Sequence, residues 1–321
     1  MSTWDERWLE RVRLLVQVLP VLDQEPRFAL KGGTAINLFE HDLPRLSVDI
    51  DLTWLPTQAF EVDSVQIAQA LDALAARLAA PPLRLQVTAS AAEGAVSTNR
   101  LIASRGRTRI QIETTPVMRG TVHPVRRMDL QPGVERQFGS AQVQVVHFAD
   151  LYAGKLAAAL SRQHPRDWFD VGLLLESGRL DAPLWRTALV YLAASPKPMA
   201  ELLAPGEPKA FATVFDSQFR GMSARPVTAE GLLQVRATLL ERIPTLIDPA
   251  ARDLLISIER ESPDFDRIGL PDAFDLPGIR RKLQNMARRS PAKREADYRQ
   301  LMETLERIAT AERPGEIDDA R

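Results

Sequence analysis

Apolar side chains recur with two different periods along the chain. A spacing of three to four residues is typical of an amphipathic helix, and alternation at every second residue is typical of a half-buried strand. In the clearest strand, Ile50 and Leu52 lie on one side while Asp49 and Asp51 lie on the other. By these patterns we predict helices at 4–19 and 64–79 and strands at 47–55, 96–104, 107–115 and 143–146.

The pattern changes near residue 149. Residues 149–160 are rich in Ala and Leu with helical spacing, and only helical spacing follows, interrupted by Pro-rich turns. Strands are therefore concentrated in the first half of the chain and helices in the second, so we predict an α+β fold. The predicted domains are a mixed-sheet domain at 1–195 and a mostly helical domain at 196–321.

Composition excludes several classes of function. With 41 Lys and Arg against 42 Asp and Glu among 321 residues, the formal net charge is −1, which excludes a uniformly basic coat for nucleic acid. Cysteine is absent, so thiolate metal sites and Cys nucleophiles are excluded. The amphipathic N-terminus is not a secretory signal, and no apolar stretch is long enough to cross a bilayer. We therefore expect a cytoplasmic protein with no membrane partner.

The segment 31–52 carries the most informative residues. Gly32 and Gly33 let the backbone bend tightly and approach a ligand closely, and Thr34 stands where a helix is predicted to begin. Free N–H groups at such a position favour a phosphate. Asp49 and Asp51 share one face of the following strand, about 7 Å apart. Two carboxylates that close repel each other unless a cation lies between them, and oxygen ligands suit Mg²⁺.

A third acid, Glu113, ends the alternating run 109–113 of the predicted strand 107–115. If that strand lies beside the one that carries Asp49 and Asp51, three carboxylates converge. Such a set could hold two Mg²⁺ ions, one activating an attacking oxygen and one clamping a triphosphate. This arrangement is suited to phosphoryl or nucleotidyl transfer.

Two motifs resemble those of a known family. Gly-Gly-Thr at 32–34 followed by Arg-x-Ser-x-Asp-Ile-Asp-Leu at 45–52 resembles the opening motif of the polymerase-β-like nucleotidyltransferase superfamily. Within it, the chain is most similar to the AbiEii/AbiGii (MenT-like) toxins. Lys155, followed by Arg-Asp-x-x-Asp ending at Asp170, resembles the family's second motif, a helix lysine and a final acid.

This resemblance implies a nucleotidyltransferase-like mixed sheet and a function. It implies a Mg²⁺-dependent toxin of a toxin–antitoxin pair that transfers NMP from an NTP, with CTP or another pyrimidine favoured, to an RNA 3′ end. The expected acceptor is tRNA, the expected result is a block of translation, and the antitoxin is expected from an adjacent gene. By position, the resemblance assigns catalysis to Asp49, Asp51, Lys155 and Asp170, metal binding to Asp49, Asp51 and Glu113, and nucleotide binding to Gly32, Gly33, Thr34, Arg45, Ser47 and Lys155.

Several alternatives remain open at the level of sequence. The acceptor could be a small molecule of the aminoglycoside kind or a protein hydroxyl, and the chain could be a nucleotide- or RNA-binding module without transferase activity. Arg45 could reach a phosphate or tether its loop, and Asp170 could hold Lys155 or a substrate hydroxyl. Asp167 is expected to be structural.

The sequence contains two further groups of titratable residues. The stretch 278–294 holds seven Lys and Arg and no acid, which suits either a phosphate backbone or a solvated helix face paired with nearby acids. The four histidines show no metal-ligand spacing, so we interpret them as surface or core residues.

Overall fold

The structure, a computed structural model, describes residues 4–91, 98–115 and 117–311. Its strands are β1 (Phe28–Lys31), β2 (Asp49–Trp54), β3 (Gln86–Ser90), β4 (Arg100–Arg105), β5 (Thr108–Thr114), β6 (Arg126–Asp129) and β7 (Gln142–Val145). They form one seven-stranded sheet in the order β3-β4-β5-β2-β1-β7-β6. The pairs β2/β5 and β1/β7 are parallel and the remaining neighbours are antiparallel, so the sheet is mixed.

The helices before and around the sheet are α1 (Glu6–Leu22), α2 (Gly32–Ala35), α3 (Phe60–Ala79), α4 (Pro132–Phe138) and α5 (Phe148–Arg162), with a π-helical turn at Ile36–Glu40. The later ones are α6 (Pro165–Glu176), α7 (Ala182–Ala193), α8 (Met199–Leu203), α9 (Phe211–Gln218), α10 (Ala229–Leu246), α11 (Pro249–Glu259), α12 (Pro277–Ala287) and α13 (Pro291–Ala311). Two 3₁₀ turns lie at Phe265–Ile268 and Pro271–Asp275.

Side-chain caps fix where several helices begin. The side chains of Asp5, Asp181, Thr228 and Asp248 each accept a backbone N–H of the first turn that follows them. A cap of this kind contributes about 1 kcal/mol, because it satisfies a donor that the helix itself leaves unpaired.

The core of the sheet lies under its central strands. Ile50, Leu52 and Ile112 are buried, and Trp54 meets Phe28 edge to face with ring centroids 5.0 Å apart. Helix α1 packs against β5 and β7, and α3 packs against β3 and β4. The prediction that the aliphatic residues of β2 face the core is thus confirmed. Asp49 is exposed and Asp51 is half-buried.

The described residues divide into two compact units, within Met1–Leu151 with Asp216–Val227 and within Tyr152–Phe215 with Thr228–Arg321. The first contains the whole sheet, and the second is helical apart from its two 3₁₀ turns. The α+β class is confirmed, while the predicted domain limits of 1–195 and 196–321 stay a prediction.

Most predicted elements are present with shifted ends. The strand predicted at 96–104 is β4, Arg100–Arg105, and Val96 and Ser97 lie outside the described residues. The sequence patterns did not predict β1, β3, β6 and α4. In the described part of the chain, no helix combines the length and the apolar composition that crossing a membrane requires.

Candidate active site

Three carboxylates lie on neighbouring strands at one end of the sheet, and we call Asp49, Asp51 and Glu113 the acidic face. Strand β2 pairs in parallel with β5, and this register sets Asp51 opposite Glu113 and Asp49 opposite Gln111. The Nε2 of Gln111 donates to Oε2 of Glu113 at 2.6 Å, as expected for side chains on the same side of a strand. The predicted neighbourhood of the two acidic strands is therefore confirmed.

The first glycine lies directly against this acidic face. Gly32 has φ +73°, and a Cβ atom built on it would lie 2.2 Å from Oδ2 of Asp51. Both the backbone conformation and the lack of space require glycine here. The turn after β1 therefore brings backbone groups to the carboxylate, while the predicted approach of a ligand to this turn stays a prediction.

The rest of the turn is held by the loop that precedes β2. Thr34 is buried, and its Oγ1 donates to the carbonyl oxygen of Asp49 at 2.6 Å and lies 3.1 Å from Oγ of Ser47. A Cβ on Gly33 would lie 2.7 Å from Nη2 of Arg45 and 2.8 Å from Oγ of Ser47. All five predicted residues of this region, including Gly32, thus lie around one turn.

Arg45 is almost fully buried and also serves the loop itself. It is 3% exposed, and its Nη1 donates to the carbonyl oxygen of Leu46 at 2.9 Å. Arg45 forms an isolated antiparallel bridge with Ser223, flanked by backbone hydrogen bonds from Leu46 to Met222 and from Ala224 to Pro44. Arg45 therefore tethers its loop, which is one of the two roles that the sequence left open, and its guanidinium also lies beside Gly33.

The sequence patterns did not predict two cations that lie at this site. Lys31 pairs across β1 and β2 with Asp51, and burial lowers the pKa of its ammonium although the charges of Asp51 and Glu113 raise it. Arg100 pairs across β4 and β5 with Glu113, and its Nε lies 3.3 Å from Oε2 of that acid. These charges offset part of the repulsion among the carboxylates.

The second predicted motif forms a buried ion cluster in the helical unit. Nζ of Lys155 on α5 lies 2.9 Å from Oδ1 of Asp167 and 2.9 Å from Oδ2 of Asp170, both on α6. Arg162 reaches Asp167 with two nitrogens, at 2.6 and 2.9 Å. We call these four residues the lysine cluster. Asp170 therefore holds Lys155, one of the two roles that the sequence left open.

The charges within the lysine cluster balance. Both carboxylates are fully buried and Lys155 is 8% exposed. Burial alone would raise the pKa of Asp167, but the charge of Lys155 and the hydrogen bond from Arg162 outweigh it and hold that pKa well below its usual range. Asp167 is thus a structural counterion of Lys155, as the sequence suggested.

Ion pairs neutralise most of the basic stretch at 278–294. Its bound cations are Arg280 with Asp275, Arg289 and Lys293 with Asp297, Arg294 with Glu261, and Lys282 with the carbonyl oxygens of Ser195 and Lys197. Burial lowers the pKa of Lys282 to about 8. Arg281 and Arg288 are the members with neither an ion pair nor such a carbonyl contact to another described residue, so the paired-face alternative fits this stretch better than a phosphate-binding one.

The acidic face has the chemistry of a site for a hard divalent cation. Carboxylate oxygens from two strands are the ligands that Mg²⁺ prefers, and the glycine turn brings the backbone close to them. The residues present therefore fit a divalent metal and an NTP.

Comparisons with known proteins agree with this chemistry. MenT4, a nucleotidyltransferase toxin from Mycobacterium tuberculosis H37Rv, superposes with a TM-score of 0.55 at 16% identity, covering 87% of this chain and 93% of that one, which shows a shared fold. The comparison with curated proteins found no significant match. The family profile described as nucleotidyl transferase AbiEii toxin, type IV TA system, matches residues 13–310. The chain therefore belongs to the AbiEii family of nucleotidyltransferase toxins of type IV toxin–antitoxin systems.

Proposed function

We propose that the protein transfers the NMP of an NTP to the 3′-hydroxyl of an RNA, with tRNA as the acceptor, and thereby blocks translation. The single observation that carries the transferase chemistry is the register that sets Asp51 beside Glu113, directly behind the Gly32 turn. The resemblance of both sequence motifs to the AbiEii/AbiGii (MenT-like) toxins supports RNA as the acceptor and a pyrimidine NTP, CTP above all, as the donor.

In this proposal Asp49, Asp51 and Glu113 hold the divalent cation, which we take to be Mg²⁺. When bound, such an ion neutralises charge on a triphosphate and lowers the pKa of an attacking hydroxyl. We assign the turn at Gly32 and Gly33, which Thr34 joins to the backbone of Asp49, to the triphosphate, because its backbone lies close to the acidic face.

The reaction forms one bond and breaks one. The RNA 3′-oxygen bonds to the α-phosphorus of the NTP, the hydroxyl proton is lost, and the bond to the β-phosphate breaks to release pyrophosphate. We assign Arg45 and Ser47 to shaping the triphosphate turn, because both lie against Gly33. We assign Lys155 to the triphosphate charge and Asp170 to positioning that lysine, because its carboxylate lies 2.9 Å from Nζ.

The acceptor is tested by offering each class of molecule separately. The protein is incubated with Mg²⁺ and each α-labelled NTP in turn, together with total tRNA, an aminoglycoside panel or a cell protein extract freed of RNA. Label on the 3′ end of tRNA, with CTP the best donor, is the expected result. Label on an aminoglycoside or on a protein hydroxyl would establish the alternative acceptor.

Absence of label on every acceptor, with tight NTP binding retained, would instead support a silent binding module. The family also implies an antitoxin partner, which we assign to an adjacent gene. Coexpression of that neighbouring gene should restore growth of cells that produce this protein.

A further inference from the structure

A second cluster of metal-ligating side chains lies in the sheet unit, apart from the acidic face. His123, His147 and Asp150 each offer a ligand atom, and these atoms all lie within 4.8 Å of one another. They come from three segments: the stretch before β6, the residue pair after β7, and the first turn of α5. We call these three residues the histidine cluster. Spacing in the sequence did not indicate it, because 24 positions separate its two histidines.

Asp150 is fixed in place by backbone donors. It is 2% exposed, and its two oxygens accept the N–H groups of Val122 at 2.7 Å and His123 at 3.0 Å. The same contacts bring the His123 segment onto the start of α5.

The two imidazole rings face each other across the cluster. Their centroids are 4.9 Å apart with 45° between the ring planes, and both residues are half-buried. Burial, then the nearby His123, lowers the pKa of His147, which favours the neutral imidazole that binds metal ions. Nδ1 of His147 accepts the N–H of Ala149 at 3.2 Å, a long contact that spans only two residues.

The charges around the cluster do not oppose a cation. Arg126 lies near His147, but its guanidinium is engaged by the carboxylate of Glu40 and by the carbonyl oxygen of Val146. Arg126 and Glu40 cancel each other, so Asp150 supplies the net negative charge.

We propose that His123, His147 and Asp150 bind a divalent transition-metal ion of the zinc class, with one position left for water. Two imidazoles and a carboxylate are the ligand set that selects Zn²⁺ over Mg²⁺, in contrast to the all-oxygen acidic face. The ion joins the segment before β6 to the start of α5. Because β7 runs parallel to β1, His147 follows β7 at the end of the sheet where Lys31 ends β1, and the histidine cluster shares no residue with the acidic face.

Direct metal binding tests the site without reference to activity. The metal-free protein is titrated with Co²⁺ and with Zn²⁺ in excess Mg²⁺, and binding is followed by visible Co²⁺ absorption and by metal analysis after dialysis. One ion per chain is expected for the wild type. His147→Ala and His123→Gln should each weaken binding at least about tenfold.

Two control variants separate this site from other effects. His164→Asn alters a histidine of the helical unit that caps α6, and because Asn also caps helices, it should keep full metal binding. Asp51→Asn should keep it as well, since Asp51 belongs to the acidic face. Circular dichroism confirms that each variant is folded, and His123→Gln replaces His147→Ala if the latter unfolds.

Failure of the wild type to retain an ion in excess Mg²⁺ would overturn the proposal. So would equal retention by the folded His123→Gln variant, or loss of the ion in Asp51→Asn. None of these outcomes depends on nucleotide transfer, so they test the metal site independently of the proposed function.

Discussion

Gly32 shows at the scale of one residue how the absence of a side chain forms a site. Its φ of +73° and the 2.2 Å approach of Oδ2 of Asp51 are separate demands, and glycine satisfies both. Gly106 also has a positive φ, +60°, but a Cβ atom added there would have open space around it out to 4 Å. Substitutions at Gly32 and Gly106 therefore separate the effect of backbone strain from the effect of displacing the carboxylate of Asp51.

We expect Gly32→Ala to abolish nucleotide transfer, because the added methyl group displaces Asp51. Gly106→Ala should lower the free energy of unfolding by about 1 kcal/mol, because alanine is strained at a positive φ, and this variant should retain transfer. Thermal unfolding and labelled-NTP transfer on both variants provide the measurement. Normal transfer by folded Gly32→Ala would show that the Gly32 turn does not position Asp51.

Asp167 illustrates a buried charge that stability depends on. Its folded-state pKa lies below the unfolded value of about 3.9, so its contribution is present above that value and is lost as pH falls through the folded pKa. We expect Asp167→Asn to lower the free energy of unfolding by about 3 kcal/mol at neutral pH, because Lys155 and Arg162 lose one of the two negative charges that neutralise them. The difference from wild type should shrink below about pH 4.

The matched control for Asp167 is an exposed pair in the same unit. Glu201 pairs with Lys197 on the surface, so Glu201→Gln should change stability by less than about 0.5 kcal/mol at any pH. Urea unfolding across a pH series measures both variants. Equal effects of the two substitutions, or a difference for Asp167→Asn that grows in acid, would contradict this assignment.

At the scale of elements, the loop 41–48 depends on a segment from much later in the chain. Backbone hydrogen bonds join Leu46 to Met222 and Ala224 to Pro44, and both partners belong to the sheet unit. This pairing sets the position of Arg45 and Ser47 beside the Gly33 turn.

Removing one of these hydrogen bonds should weaken nucleotide binding. Ala224 is exposed, so Ala224→Pro chiefly removes its N–H donor, whereas Ala224→Gly keeps it. We expect the proline variant to raise the KM for NTP several-fold and the glycine variant to leave it nearly unchanged. Steady-state kinetics on both test this, and an equal KM would show that the segment 222–224 does not shape the turn.

Sequence patterns predicted the central elements better than the edges. Three strands were not predicted. β3 and β6 are the outermost strands of the sheet and are half exposed, and β1 is a four-residue strand whose apolar run at 28–30 does not alternate. Asp49 and Asp51 were predictable because they share one motif, and Glu113 because it follows the alternation of its strand. Lys31 was not, because its proximity to Asp51 arises from an antiparallel register that no local pattern contains.

At the scale of the whole molecule, a net charge of −1 conceals locally paired charge. The stretch 278–294 reads as strongly basic in sequence, yet acids from outside the stretch bind most of its cations. Arg281 and Arg288 are the members that pair with no other described residue. An RNA acceptor would therefore find few free cations on this stretch.

This pairing limits the salt dependence that the stretch can contribute. We expect the double variant Arg281→Ala/Arg288→Ala to reduce the slope of log affinity for tRNA against log salt by no more than about 2. Affinity measured by filter binding over a range of salt concentrations checks this. A larger reduction would show that the ion pairs of the stretch open when RNA binds.

Single-turnover transfer of an α-labelled NTP tests most directly whether the acidic face performs nucleotide transfer. Asp51→Asn removes one carboxylate of that face, while Asp72→Asn makes the same change at an exposed position on α3 of the same unit. We expect the transfer rate to fall at least about a thousandfold for Asp51→Asn and to stay unchanged for Asp72→Asn. A folded Asp51→Asn protein that transfers at the wild-type rate would contradict this expectation.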